Sequence, residues 1–270
     1  MNYTLNIRGH LMSLAQPRVM GILNATPDSF FADSRMQTAD EVVRRARQIL
    51  DEGATIIDIG ACSTRPGSEP ATQQEEIERL RMALGAVRRE LPDAVLSVDT
   101  FRPDVARMAV EEYGVDIIND VGTPHLQTDT EVCPYLPMLR MVSRLRVPYI
   151  LMSSEPTLEK TLLFFAERVQ QLRDMGHTDI ILDPGFGFGK TLEENYALLA
   201  SMEKLLVMEL PLLVGVSRKS MIWRLLDVDP ASALNGTTAL HAVALMKGAS
   251  ILRVHDVKEA VECVKLVAKL

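Results

Sequence analysis

The chain alternates two hydrophobic rhythms. Short runs that are apolar at nearly every position fall at residues 19–24, 56–60, 95–100, 117–121, 148–152, 180–183, 212–217 and 251–255. Runs hydrophobic at both parities and rich in β-branched residues are the mark of parallel strands buried on both faces. Between them lie longer segments in which apolar residues return every third or fourth position, as with Val42, Ala46, Ile49 and Leu50, the spacing of a helix with one buried stripe. Thr38 with Glu41 and Thr72 with Glu75 fit the S/T-x-x-E capping box that opens a helix. A strand and helix together take roughly 20 to 40 residues, the size of one βα module. Eight modules predict a (β/α)8 TIM barrel, α/β in class, as a single domain over residues 1–270. An open, doubly wound sheet is the competing topology. Residues 1–17 precede the first long run and read as an N-terminal extension in the form of an extra strand or hairpin.

The polar residues that interrupt this pattern fall at one recurring place. Asn24, Asp99, Asn119, Asp183, Ser217 and His255 each close an apolar run at its C-terminal end. In a barrel those ends converge on the face where active sites are built. A single strand-end Asp or Asn caps the next helix; so many together point to a site. Strand alternation puts Asp58 on the face of Ile56, Asp99 with Ser97, and Arg253 with His255. Arg253 and His255, with Lys219 and Arg65 in nearby loops, make a locally cationic mouth suited to phosphate or pyrophosphate. Asp99, Asn119 and Asp183 supply acceptors and one carboxamide, which suits a purine-like or pterin-like heterocycle with amino, ring N–H and oxo groups.

Composition narrows the classes. The 270 residues are 47% hydrophobic and 24% charged, with a formal charge of −7, an ordinary globular balance that disfavours nucleic acid or an anionic membrane as partner. No apolar run approaches the roughly 18 residues a membrane-spanning helix needs, and the first residues lack the order of a secretory leader, so a cytoplasmic location is expected. Cys62, Cys133 and Cys263 are odd in number and far apart, which argues against a disulfide framework or a zinc site. The glycine-rich segment 183–191 follows a strand and precedes a helix, yet it is no Walker loop. The glycine needed five residues before Gly189 is Pro184, and Lys190 stands where a G-x-G-x-x-G motif needs its third glycine.

Seven motifs in order resemble those of dihydropteroate synthases. Residues 20–30, Met-Gly-Ile-Leu-Asn-Ala-Thr-Pro-Asp-Ser-Phe, resemble the family's opening signature, and residues 58–67, Asp-Ile-Gly-Ala-Cys-Ser-Thr-Arg-Pro-Gly, its second loop. The others lie at 97–100, 118–120, 183–190, 217–220 and 253–256. The resemblance implies a TIM barrel, usually a homodimer, that works in folate synthesis with Mg²⁺ and is a sulfonamide target. It implies condensation of 6-hydroxymethyl-7,8-dihydropterin pyrophosphate with p-aminobenzoate to give 7,8-dihydropteroate and pyrophosphate. By position, Asp99, Asn119, Met152, Asp183 and Lys219 would hold the pterin. Asn24, Arg65, Arg253 and His255 would hold the pyrophosphate, with Asn24 also touching the metal. Thr64, Pro66, Phe188, Ser217 and Lys219 would border the p-aminobenzoate. Asn24, Asp99, Lys219, Arg253 and His255 are the expected catalytic set.

Three positions depart from the family pattern. Residues 30–35 lack its Ser-Asp-Gly-Gly stretch, which leaves a metal role for Asp33 open; Cys62 stands where Glu is common; and Ser153-Ser154 follows Met152 where His is common. Cys62 reads either as a filler or as a redox-sensitive thiol. Competing functions are a corrinoid-linked methyltransferase with a similar pterin barrel, a Schiff-base aldolase using Lys219, and a non-catalytic pterin-binding paralogue.

Overall fold

Each apolar run becomes a strand, and the strands close on themselves. The computed structural model describes residues 3–25, 35–62, 71–122 and 135–270, without the side chains of residues 35–38. An antiparallel hairpin, β1 (Thr4–Ile7) and β2 (His10–Ser13), comes first. There follow β3 (Arg18–Asn24), α1 (Arg35–Asp51), β4 (Ile56–Gly60), α2 (Gln73–Glu90), β5 (Leu96–Asp99), α3 (Pro103–Tyr113), β6 (Ile117–Asp120) and α4 (Leu136–Leu145). The second half holds β7 (Tyr149–Met152), α5 (Leu158–Asp174), β8 (Ile180–Asp183), α6 (Leu192–Ala200), a 3-10 helix (Met202–Met208), β9 (Leu212–Val214), α7 (Ser220–Trp223), α8 (Leu234–Met246), β10 (Ala249–Val254) and α9 (Val257–Val267). The barrel order is β10-β3-β4-β5-β6-β7-β8-β9. Because β10 pairs in parallel with both β9 and β3, the sheet has no open edge, and the doubly wound alternative is excluded.

Strand alternation sorts the core into two clusters. Met20, Ile56, Ile117, Ile150, Ile181, Leu213 and Ile251 fill the barrel interior, while Leu23, Ile57, Val98, Ile118, Leu151 and Leu182 join the larger core shared with the helices. The N-terminal extension forms the expected hairpin, and its Leu5 and Ile7, with Leu14, pack into the interior cluster. The hairpin therefore covers the end of the barrel opposite the strand C-termini. Arg8 fixes it there with an ion pair to the buried Asp116 at 2.8 Å.

Two expectations change at the element ends. Thr72 and Glu75 form both halves of the capping box, but α1 begins at Arg35, so Thr38 lies inside the helix and not at its start. The run 212–217 is a strand only as far as Val214. Val216 and Ser217 stay buried, yet the backbone turns, with Lys219 N–H donating to Val216 O at 3.1 Å. Hydrophobicity at those positions reports burial, not ladder pairing. His255 likewise lies just past β10. No described helix is long and apolar enough to cross a membrane.

Candidate active site

The site is built from the second inward layer of the barrel, directly above the interior isoleucines. Asp58, two residues after inward-facing Ile56, is fully buried. It accepts from Ser97 Oγ at 2.6 Å, Asn119 Nδ2 at 3.0 Å and Arg253 Nε at 2.6 Å. Arg253 also donates from Nη2 to Asp99 Oδ2 at 2.6 Å. Two carboxylates thus share one guanidinium. Burial pushes the Asp99 carboxyl up to about 7, opposed by Arg253 and reinforced by the neighbouring Asp58 charge. Asn119 spends its amide on Asp58, and its Oδ1 is buried with no hydrogen-bond partner among the described residues. A buried, unmet acceptor beside a cavity mouth calls for a donor from a ligand.

Gly60 keeps this corner open. A Cβ added there would stand 3.7 Å from Asp99 Oδ2 and 3.8 Å from Asn24 Oδ1, so the missing side chain leaves two hard oxygen donors facing a common space. Small divalent cations take such oxygens, completing their shell with water and phosphate. Among the described residues there is no group of three or more His, Cys, Asp or Glu that could hold a metal ion.

Across the mouth, Asp183 is buried at the end of β8 and accepts from Gly185 N–H at 2.7 Å. Burial raises its carboxyl, with Lys219 foremost in opposing the shift. Lys219 reaches back from the β9 loop, donates to Phe186 O and lies 4.3 Å above the Phe188 ring. Its burial draws the ammonium down to about 8, against the pull of Asp183. Buried Met152 lies against Gly185, where a Cβ would fall 3.1 Å from Met152 Cγ and 2.1 Å from Ser153 O. With φ at +67° as well, only glycine fits there. Ser217 Oγ accepts from His255 N–H at 3.2 Å and meets His255 Nδ1 at 3.1 Å. Gly215 lies between the halves, its missing Cβ 3.9 Å from Arg253 Cβ and 4.0 Å from Lys219 Nζ.

The residues singled out from sequence therefore gather at one mouth: Asn24, Asp99, Asn119, Met152, Asp183, Phe188, Ser217, Lys219, Arg253 and His255. Thr64, Arg65, Pro66 and Asp33 lie outside the described residues. Arg253 and His255 divide their work. The first turns in to the carboxylates, while the second meets Ser217 beyond the strand end. Asp58, which the strand-end pattern leaves out of the site, is its centre; the sequence signal for it is a carboxylate within Ile-Ile-Asp-Ile at the parity of an inward isoleucine. Cys62 is half-buried, and burial with the nearby Glu76 raises its thiol; the thiolate that oxidation requires is disfavoured, which supports the filler reading. Ser153 is buried and serves backbone contacts, donating from its N–H to Asp183 O at 2.9 Å.

Comparisons with known proteins point to one family. Residues 20–255 match the family described as pterin binding enzyme. The chain is 37% identical to the dihydropteroate synthase of Escherichia coli K12 over 270 residues, covering 96% of this chain and 94% of that protein. Among solved structures, Xanthomonas albilineans dihydropteroate synthase with 4-aminobenzoic acid superposes with a TM-score of 0.88 at 34% identity, covering 100% of this chain and 98% of that one. A dihydropteroate synthase from Coxiella burnetii in complex with pteroic acid gives 0.82 at 35% identity, covering 99% and 98%.

Proposed function

The chain belongs to the pterin binding enzyme family, and from that premise we propose how its own residues perform the dihydropteroate synthase reaction. The chain is a transferase of that type: 6-hydroxymethyl-7,8-dihydropterin pyrophosphate and p-aminobenzoate give 7,8-dihydropteroate and pyrophosphate. The observation that carries the residue assignment is the acceptor set of half-buried Asp99, buried Asp183 and the unmet Asn119 Oδ1, gathered within reach of Lys219 and Arg253. A pterin offers the complementary amino, ring N–H and oxo groups. Asp99, Asn119 and Asp183 orient the ring, Met152 packs against it, and Lys219 serves the oxo side.

With the ring fixed, its electrons help expel pyrophosphate from the methylene carbon along a dissociative path. Arg253 and His255 stabilise the negative charge that grows on the leaving group, the kind of preorganised contact that dominates many rate enhancements. Once the C–O bond has broken and pyrophosphate carries off its electron pair, the amine of p-aminobenzoate attacks the methylene cation, forms the C–N bond and gives up one proton to solvent, from a pocket bordered by Phe188, Ser217 and Lys219. No protein nucleophile takes part. Asn24 and Asp99 are the residues that would hold Mg²⁺, which when bound supplies Lewis-acid stabilisation to the pyrophosphate oxygens. Thr64, Arg65 and Pro66 belong to the same assignment by their place in the second loop motif.

A homodimer is part of the proposal. Val207, Leu225, Leu226 and Met246 are exposed by 51% to 73% on the 3-10 helix, the segment after α7, and α8, and a second copy is the occupant proposed to cover these large apolar side chains.

Arg253 gives the test of mechanism. Arg253→Ala is expected to lower kcat by about a thousandfold, the cost of deleting a charge-stabilising donor. Binding of the dihydropterin alcohol, which lacks the pyrophosphate, should weaken by less than about tenfold. Equal losses in calorimetric affinity and in turnover would refute the leaving-group role.

A further inference from the structure

The glycine-rich segment that fails as a nucleotide loop ends in Lys190, a half-buried cation that the reaction does not use. Its Nζ donates to Ser153 O at 3.1 Å, Gly185 O at 3.0 Å and Phe188 O at 3.3 Å. An ammonium has three protons, and here all three meet backbone carbonyls, leaving none for a ligand. The three carbonyls come from two elements. Ser153 follows β7 beside Met152, while Gly185 and Phe188 belong to the connection from β8 to α6. That connection supplies both supports of Lys219, the Phe186 carbonyl and the Phe188 ring. On its far side Asn195 of α6 accepts from Gly187 N–H at 2.7 Å and donates to Lys190 O at 3.3 Å. Asp183, Glu155 and Glu194 supply the negative charge around the ammonium, and burial lowers it to about 8.

We propose that Lys190 is a positioning residue for the p-aminobenzoate pocket: by tying the end of β7 to the β8–α6 connection, it fixes the wall on which Lys219 is seated. The inference rests on the dihydropteroate synthase reading and deepens it. Lys190 touches no substrate in this account. Its removal should loosen the carbonyl and ring that hold Lys219, while Asp99 and Arg253, on strands β5 and β10 that adjoin neither β7 nor β8, keep their contact with each other.

The test uses full-length K190A and K190Q beside the wild type, with melting curves to verify folding. Both variants are expected to raise the KM for p-aminobenzoate by about tenfold or more, the scale of one lost charge-assisted contact, and to weaken binding of the dihydropterin alcohol by a smaller factor, about threefold, because Lys219 is one of several contacts to the ring. K190A lacks the atoms of a propylammonium ion, so propylammonium chloride should restore its KM. Tetramethylammonium, which has charge but no N–H to donate, should not. If K190A fails to fold, K190Q is read alone, since it keeps the stem and replaces the ammonium with a neutral amide. An unchanged p-aminobenzoate KM, or equal losses for both substrates, would overturn the role of Lys190. A wild type that forms no dihydropteroate would instead remove the premise, so the two failures are distinct.

Discussion

Arg253 is bound by Asp58 and Asp99 at once, and the proton balance of that trio governs how the site responds to pH. Asp99 is pushed up to about 7 by burial, and Lys219 is drawn down to about 8 by the same cause. An Asp99 that must accept from the pterin is productive when ionised, so kcat/KM should fall as pH drops through about 7. A Lys219 that must donate is productive when protonated, so kcat/KM should fall again above about 8. A pH–rate profile is expected to be bell-shaped with its maximum between these values, and an acid limb near the ordinary carboxylate range would contradict it. Linkage gives a second consequence. Because Asp99 keeps its proton to higher pH when folded than when unfolded, the folded chain binds more protons between the ordinary carboxylate range and about 7. Stability should therefore decline as pH rises through that window, and denaturant titrations of Asp99→Asn should show the decline reduced. Asp58 carries the opposite kind of test. Asp58→Ala strips Arg253, Asn119 and Ser97 of a common partner, so urea unfolding should show a loss of about 3 kcal/mol together with loss of turnover. A variant of wild-type stability would mean that the trio is dispensable to the fold.

The elements differ in how plainly the sequence announces them. The strands at 56–60 and 180–183 match their predicted bounds because the apolar runs end at Gly60 and Asp183, where ladder pairing also ends. Beyond β9 the left-handed Arg218, φ +53°, turns the chain while Val216 and Ser217 remain buried. Arg218 holds that turn by a two-point ion pair with Asp256, both contacts 2.8 Å, a link across residues 38 apart that no local pattern reveals. Thr38 misled for a local reason: Arg35, Met36 and Gln37 are good helix formers, so nothing obliges α1 to wait for the capping box. The N-terminal hairpin was legible only as an extra element. Its docking depends on Asp116, buried at the base of β6, which pairs with Arg8 and Arg88 and accepts from Leu96 N–H at 2.9 Å. Asp116→Ala should cost about 3 kcal/mol in chemical denaturation while leaving kcat of the folded enzyme within about twofold, because the hairpin closes the end opposite the site. A large fall in kcat would show that the two ends are coupled.

At the scale of the molecule, the barrel separates these tasks. Interior isoleucines and the hairpin secure one end, and the polar inward layer at the other is held open by Gly60 and Gly215. The recurrence of polar residues at strand ends made the location of the site readable from sequence. The pairing of Arg253 with two carboxylates was not, since partners 195 and 154 residues away meet only when the barrel closes. The exposed side chains around α8 carry the oligomeric prediction: sedimentation equilibrium should give a dimer, shifted toward monomer by Met246→Glu, whereas a monomeric wild type would contradict that interface. The central claim is tested most directly by following pyrophosphate release from 6-hydroxymethyl-7,8-dihydropterin pyrophosphate with Mg²⁺, with and without p-aminobenzoate. The account predicts release matched mole for mole by 7,8-dihydropteroate when p-aminobenzoate is present. Tight binding of the pterin with neither product would contradict it and identify a pterin-binding barrel without catalysis.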